Sequence, residues 1–181
     1  MRRQRLGTLF DGALVQLGWW ICVPAAGKGY PLIGVAAISV LLVVQTWGLP
    51  EDARRRAWRH ILAMGAIGTV IDSLHAVLGF LTFRDAFAPW LAPVWITAMW
   101  CHFTTVVPAF AALRSRLWVA VVFGAIGGPL AYFGGERLGA AEFHPEAWMS
   151  WAAIGVTWAI AFPIMVRWMG ALPPPEATPK G

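Results

Sequence analysis

Charge is scarce in this chain. Asp, Glu, Lys and Arg make up 13% of its 181 residues, where a soluble domain carries about a quarter. Cysteine is scarcer still: Cys22 and Cys101 each stand alone in an apolar segment without a CxxC neighbour, which excludes a disulfide framework and a thiolate zinc site. The phosphate loop GxxxxGKS/T and the metalloprotease motif HExxH are both missing, so no motif-borne nucleotide or metal is indicated and no cofactor is expected. No internal repeat is evident, which removes the usual pointer to a two-fold transporter. Long polar stretches are missing too. The separators between apolar blocks are short and only thirteen residues follow Trp168, which leaves no room for a separate soluble domain.

What is present is apolar. Hydrophobic residues reach 59% and the mean hydropathy is +0.63, the composition of a membrane protein. A span needs about 20 mainly apolar residues to cross a hydrocarbon core of about 30 Å. Six segments qualify, roughly 8–26, 30–48, 61–82, 89–112, 117–136 and 147–168. AGKGYP, LPEDARRRAWRH, RDAFA, RSR and the ERLGAAEFHPE region read as the loops between them. MRRQR followed by an apolar run has the look of a signal peptide, but Asp11, Lys28 and Gly29 favour an uncleaved first helix.

The net charge of +5 would fit nucleic-acid binding if the basic residues shared a face. They fall instead in short clusters between apolar runs, so no nucleic-acid partner is expected. With the N-terminus cytoplasmic, that side collects Arg2, Arg3, Arg5, Arg54, Arg55, Arg56, Arg59, Arg114, Arg116, Arg167 and Lys180, and the other keeps Lys28, Arg84 and Arg137. Eleven against three is a positive-inside bias that requires an even number of spans. The expectation is an all-α, polytopic helical bundle of six transmembrane helices over 1–170, both termini cytoplasmic, with a Pro-rich cytoplasmic tail at 171–181. Eight tryptophans, among them Trp19, Trp20, Trp47, Trp118 and Trp148, lie near span ends as interfacial anchors. Trp95 and Trp100 lie deeper and read as packing residues rather than a cation cage.

The third helix carries Gly65, Gly68, Asp72, His75 and Gly79 on one stripe. Small residues admit a neighbouring helix, and the polar ones must then face protein or water rather than lipid. Asp72 and His75 at i and i+3 suit a proton relay or a metal half-site. The alternative is a buried hydrogen bond that holds helices three and four together, and the want of a second ligand motif favours it over metal. His102 is the partner expected for Asp72, since both lie about 15 Å from the cytoplasmic ends at 1.5 Å per residue; it could equally bond a carbonyl freed by Pro108. Thr97, Thr104 and Thr105 add hydrogen-bonding capacity. Asp11 is read as interfacial, and Gln16 as bonding between helices.

The fifth helix carries Gly124, Gly128, Ala131 and Gly135 on a second stripe, read as a packing seam with a kink or break at Pro129. Glu136 and Arg137 mark its outer end, and the dense glycines before them are where an extracytoplasmic-side cavity is expected.

With these residues in view, the chain resembles the DUF2878 family of uncharacterised bacterial inner-membrane proteins. The resemblance rests on QLGWWICV (16–23), GTVIDSLHAVLGFLTF, LAPVWITAMWCHF (91–103) and above all GAIGGPLAYFGGERLGAAEF (124–143). It departs at HFTTVVPAFAAL, where Pro108 stands in place of an asparagine- or histidine-containing stretch. It marks Asp72, Gly127, Gly128, Pro129, Tyr132, Gly135, Leu138 and Gly139 as motif positions and implies no chemical role for any of them. It also implies, by gene setting alone, an association with membrane-lipid modification. Three readings follow: an accessory, non-catalytic protein of lipid or fatty-acid modification; a small transporter or lipid carrier using Asp72, His75 and His102; and a membrane-embedded enzyme acting on lipid. Membrane lipids are the expected partners, and the small-residue stripes would serve a membrane-protein partner or a homo-oligomer.

Overall fold

The structure is a computed structural model that describes residues 2–169; the Pro-rich segment 171–181 lies outside them. Among the described residues there are six α-helices: α1 (Arg2–Gly27), α2 (Pro31–Trp47), α3 (Glu51–Val77), α4 (Val94–Thr104), α5 (Leu117–Arg137) and α6 (Ala147–Met169). The all-helical expectation holds with one addition, a short antiparallel ladder of β1 (Leu81–Phe83) and β2 (Ala141–Phe143). Helices α3, α5 and α6 are long and apolar enough to cross a membrane, and α4 makes a fourth span if counted with the 3-10 helix that follows it. Helix α2, seventeen residues long, is shorter.

The ends of α1, α3 and α5 share one device. Each runs into a glycine with positive φ, Gly29 (83°), Gly79 (76°) and Gly139 (75°), a conformation that costs a side-chain-bearing residue about 1–2 kcal/mol. Around each, two amides turn back onto the last helical carbonyls: Gly29 and Tyr30 to Ala26 and Ala25, Gly79 and Phe80 to Ala76 and His75, Gly139 and Ala140 to Glu136 and Gly135. This satisfies groups that hydrocarbon cannot. The three turned ends are then laced together. The ladder joins α3 to α5 in the register Leu81 to Phe143, Thr82 to Glu142 and Phe83 to Ala141. Arg84 donates from Nη1 to the Gly27 carbonyl at 2.9 Å, and Ser150 of α6 donates to the Phe80 carbonyl.

Three boundaries differ from expectation. LPEDARRRAWRH is not a loop: from Glu51 it is the first part of α3, with Glu51 and Asp52 in the first turn, where carboxylates favour the exposed amides. At 27 residues α3 spans about 40 Å and overreaches a hydrocarbon core of about 30 Å. The fourth segment is not one helix: α4 ends at Thr104 and a 3-10 helix, Val107–Ser115, leaves it at 57°. Pro108 has no N–H for the Thr104 carbonyl, while Thr104 and Thr105 hydroxyls donate to the Trp100 and His102 carbonyls, which also favours bending. Conversely, α5 does not break; it continues through Pro129 to Arg137, with Gly155 of α6 packed against the carbonyl of Ala125 that the proline leaves unbonded.

The small-residue stripes decide which helices touch. A methyl group on Gly68 would overlap the Trp100 indole of α4, one on Gly128 would overlap the Trp158 indole of α6, and one on Gly34 would run into Cys22 of α1. These glycines are therefore occupied within the chain. Facing outward, every α-helix shows large apolar side chains, from Leu17 and Val43 to Leu74, Val94, Ile126 and Ile160, more than water tolerates on a monomer.

Candidate functional site

Asp72 sits at the centre of the bundle and is fully buried. Trp100 Nε1 of α4 donates to its Oδ2 at 2.6 Å. The Tyr132 hydroxyl of α5 donates at 2.7 Å and 2.8 Å to the two oxygens. His75, one turn further along α3, brings Nδ1 to 3.4 Å from Oδ1, close but not aligned for a hydrogen bond. Its Nε2 meets Thr157 Oγ1 of α6 at 3.0 Å. One carboxyl group thus ties α3 to α4 and α5, and its neighbour His75 reaches α6.

Asp72 does not meet His102. The two lie at similar depth, but His102 follows Trp100 by two residues, about 200° around α4, and so faces α1 and α2. It is fully buried there, over Gly18, whose missing side chain leaves room for the imidazole. Its Nε2 pairs with Gln45 Oε1 at 3.1 Å, and Gln45 Nε2 reaches Asp11 at 3.1 Å and Thr105 at 3.0 Å. Asp11 is therefore a bonded member of a second polar cluster. Gln16 is exposed, and Gln45 has the inter-helix role expected of it. Among the described residues no group of three or more His, Cys, Asp and Glu side chains could hold a metal, and Asp72 with His75 remains a pair.

Between α1, α4, α5 and α6 lies a crevice of about 290 Å³. One wall is the α5 glycine stripe, with Gly124, Gly127, Gly128 and Gly135 all lining it; Trp19, Trp95, Trp100, Tyr132 and Trp158 form much of the rest. A cavity does lie beside the GGPLAYFGG segment, because glycines that let α6 close on one side leave space on the other. Gly127 shows this directly: a methyl group there would meet nothing closer than Phe123 at 3.8 Å. Among the described residues that line it, none is a carboxylate, Lys, Arg or His. Trp100 and Tyr132 belong both to the crevice and to the Asp72 cluster, so the carboxyl group stands just behind the aromatic wall. Trp100 is held flat against Trp158, with ring centres 4.8 Å apart and planes 12° from parallel.

The other motif positions lie at the rim. Leu138 brings its carbonyl against Gly27, Gly139 supplies the turn, and Arg137 stands over the Phe133 ring at 5.8 Å. Glu136 accepts the Gly139 amide through its backbone carbonyl.

A helical bundle with outward apolar faces and three helices, or four with the bent pair, long and apolar enough to cross a membrane has the character of an α-helical, membrane-associated protein. The DUF2878 family, described as proteins of unknown function, matches residues 8–164. The chain belongs to that family. Neither a curated protein nor a solved structure matches it.

Proposed function

We propose that this is a six-span protein of the bacterial inner membrane, both termini cytoplasmic, that holds the apolar part of a membrane lipid in its crevice and serves lipid or fatty-acid modification as an accessory. The observation that carries the reading is the crevice itself. Its volume of about 290 Å³ lies at the lower end of small-molecule sites, and an uncharged lining in a lipid-facing bundle suits a hydrocarbon chain. The eleven-to-three division of basic residues supports the orientation. Outward apolar side chains on α1 and α2, such as Leu17 and Val43, favour counting both as spans. Membrane lipid is the partner in this reading. A second copy or a lipid-modifying enzyme would dock on the exposed apolar faces, since the glycine stripes are engaged within the bundle.

The test is Gly127→Leu, which fills the crevice without meeting backbone. Lipid extracted from the purified variant should lack species held by the wild type, and membranes of cells carrying it should show the lipid profile of a deletion strain. Equal retained lipid in both proteins would sink the proposal.

One observation favours a second reading, a lipid carrier or proton-coupled transporter. Tyr132, which lines the crevice, Asp72, His75 and Thr157 form a polar succession to a groove between α3 and α6, which His75 and Thr157 line. Proton-dependent lipid transfer in proteoliposomes, lost in His75→Ala, distinguishes it from the accessory role. The enzyme reading would use the same Asp72 and His75 group; product formation from added lipid is its test.

A further inference from the structure

The crevice is open along one edge of α5. Phe123, Gly127 and Ala131 follow one another four residues apart and all line it, yet Phe123 is 48% exposed, Ala131 is exposed and Gly127 is half-buried. Residues at this spacing share one face of a helix, so the row looks into the crevice and outward at once. The neighbouring row of α5 is shut, since Gly124 lies against the Trp158 carbonyl of α6 and Gly128 against its indole. Toward the outer end α1 closes over the open row: a methyl group on Gly134 would come to 3.0 Å from the Trp19 ring, and one on Gly135 to 3.8 Å from Val23. Toward the inner end the 3-10 helix Val107–Ser115 bounds it, with the Phe110 and Phe123 ring centres 5.2 Å apart. There α1 approaches Val106 instead, through Gly12 at 3.9 Å. Between these two contacts α1 and α5 leave a lateral window.

The depth of the window says which part of a lipid can use it. Counted from Leu117 at 1.5 Å per residue, Phe123 lies about 9 Å and Ala131 about 21 Å along α5, whose 21 residues make a helix about 30 Å long. The window is therefore centred about 15 Å from either end, at the middle of a hydrocarbon core of about 30 Å, whichever end is cytoplasmic. A charged headgroup is costly at that depth, whereas phospholipid chains end there. We propose that the crevice takes a phospholipid chain by its methyl end, through the window between α1 and α5, while the headgroup stays at its own membrane surface. The proposal rests on the lipid-holding reading above and deepens it: the distal end of the chain is recognised and the headgroup is not. The lining agrees, since it offers rings and glycines without a cation for a phosphate, and Trp100 and Tyr132 give their polar hydrogens to Asp72.

The experiment uses the whole protein in phosphatidylcholine nanodiscs and the fluorescence of its own tryptophans. The probes are phosphatidylcholines brominated near the carboxyl group, at mid-chain or at the methyl end, and quenching in excess of that in Gly127→Leu reports the crevice. The excess should be largest for the methyl-end bromine and fall toward the carboxyl group. Unlabelled lipids then compete with the methyl-end probe; at equal fraction they dilute the bulk probe equally, so differences among them report the crevice in the wild type alone. Straight-chain phosphatidylcholine, phosphatidylethanolamine and phosphatidylglycerol should compete alike. Phosphatidylcholine whose chains end in an adamantyl group should compete about tenfold less well, a difference of about 1.4 kcal/mol. The inference fails if bromine near the carboxyl group quenches best, if the three positions quench equally, if the adamantyl-capped lipid competes as well as the straight-chain one, or if one headgroup dominates. The wild-type competition decides the matter even if Gly127→Leu does not fold. If no probe shows excess quenching and every unlabelled lipid dilutes the signal alike, the lipid-holding reading itself fails. Excess quenching without a methyl-end preference brings down the present inference alone.

Discussion

Replacing Tyr132 by Phe removes a single oxygen, and its consequence follows from what that oxygen touches. The hydroxyl is one donor shared between the two oxygens of Asp72 at 2.7 Å and 2.8 Å, so one hydrogen bond is lost, not two. Side-chain bonds between membrane helices average about 0.6 kcal/mol and reach about 1.7 kcal/mol. A carboxyl acceptor with no exposure and only Trp100 Nε1 left to serve it places this bond near the upper end, about 1.5 kcal/mol. The assay is reversible unfolding of purified protein in mixed micelles with rising denaturing detergent, run as a double-mutant cycle with Asp72→Ala. If the hydroxyl acts through Asp72, Tyr132→Phe costs about 1.5 kcal/mol in the wild type and close to nothing beside Asp72→Ala. An equal cost in both backgrounds would refute the assignment, since the hydroxyl would then owe its effect to something else.

Other perturbations have equally defined outcomes. Gly68→Ala and Gly128→Ala drive a methyl group into the Trp100 and Trp158 indoles and should each destabilise by about 1–3 kcal/mol in the same unfolding assay, whereas Gly127→Ala, whose methyl would make only ordinary contact with Phe123, should change stability by less than about 0.5 kcal/mol. Gln45→Leu deprives Asp11, His102 and Thr105 of their common partner and should cost more than any one of those bonds, with Asp11→Ala adding little in its presence. Pro108→Ala supplies the amide that the Thr104 carbonyl lacks; spin labels flanking the 57° bend should move apart as the segment straightens. Reporter fusions at residue 145 and at the C-terminus should give opposite sidedness, the C-terminal one cytoplasmic.

Much of this is legible in the sequence. The Gly65, Gly68, Asp72 and His75 stripe was readable because small and polar residues at helical spacing have to face protein in a membrane, and all four are buried. The cavity beside Gly127 and Gly128 was readable for the same reason, since side-chain volume is simply missing there. Rise along a helix fixes depth but not direction, so similar depth alone cannot bring Asp72 to His102: two residues along α4 separate Trp100 from His102 by more than half a turn, and His102 meets Gln45 instead of Asp72 or a freed carbonyl. Tyr132 and Trp100, which complete the Asp72 cluster, carried weaker signals. Tyr132 is one of only two tyrosines and sits deep in a span, a sign that its hydroxyl needs a partner; Trp100 reads as packing from sequence because an indole serves both roles, and it does both. Gln45 had a signal too, an amide in the otherwise apolar run LLVVQTW. The charged start of α3 reads as a loop if its arginines are given more weight than Pro50, Glu51 and Asp52, which together signal a helix start. The three-residue strands are too short for alternation to register. Helix α5 runs unbroken through Pro129 with Gly155 of α6 beside the freed Ala125 carbonyl, a tertiary contact with no local trace in the sequence.

The most direct test of the crevice as a lipid site is a photo-cross-linking map made in native membranes with a phospholipid bearing a diazirine on its acyl chain. The account predicts adducts at Met99 and Ala131, which line the crevice, in addition to outward residues of α5 such as Ile126 and Leu130, with the crevice adducts lost in Gly127→Leu. Adducts confined to Ile126, Leu130 and other outward side chains, unchanged by Gly127→Leu, would contradict it.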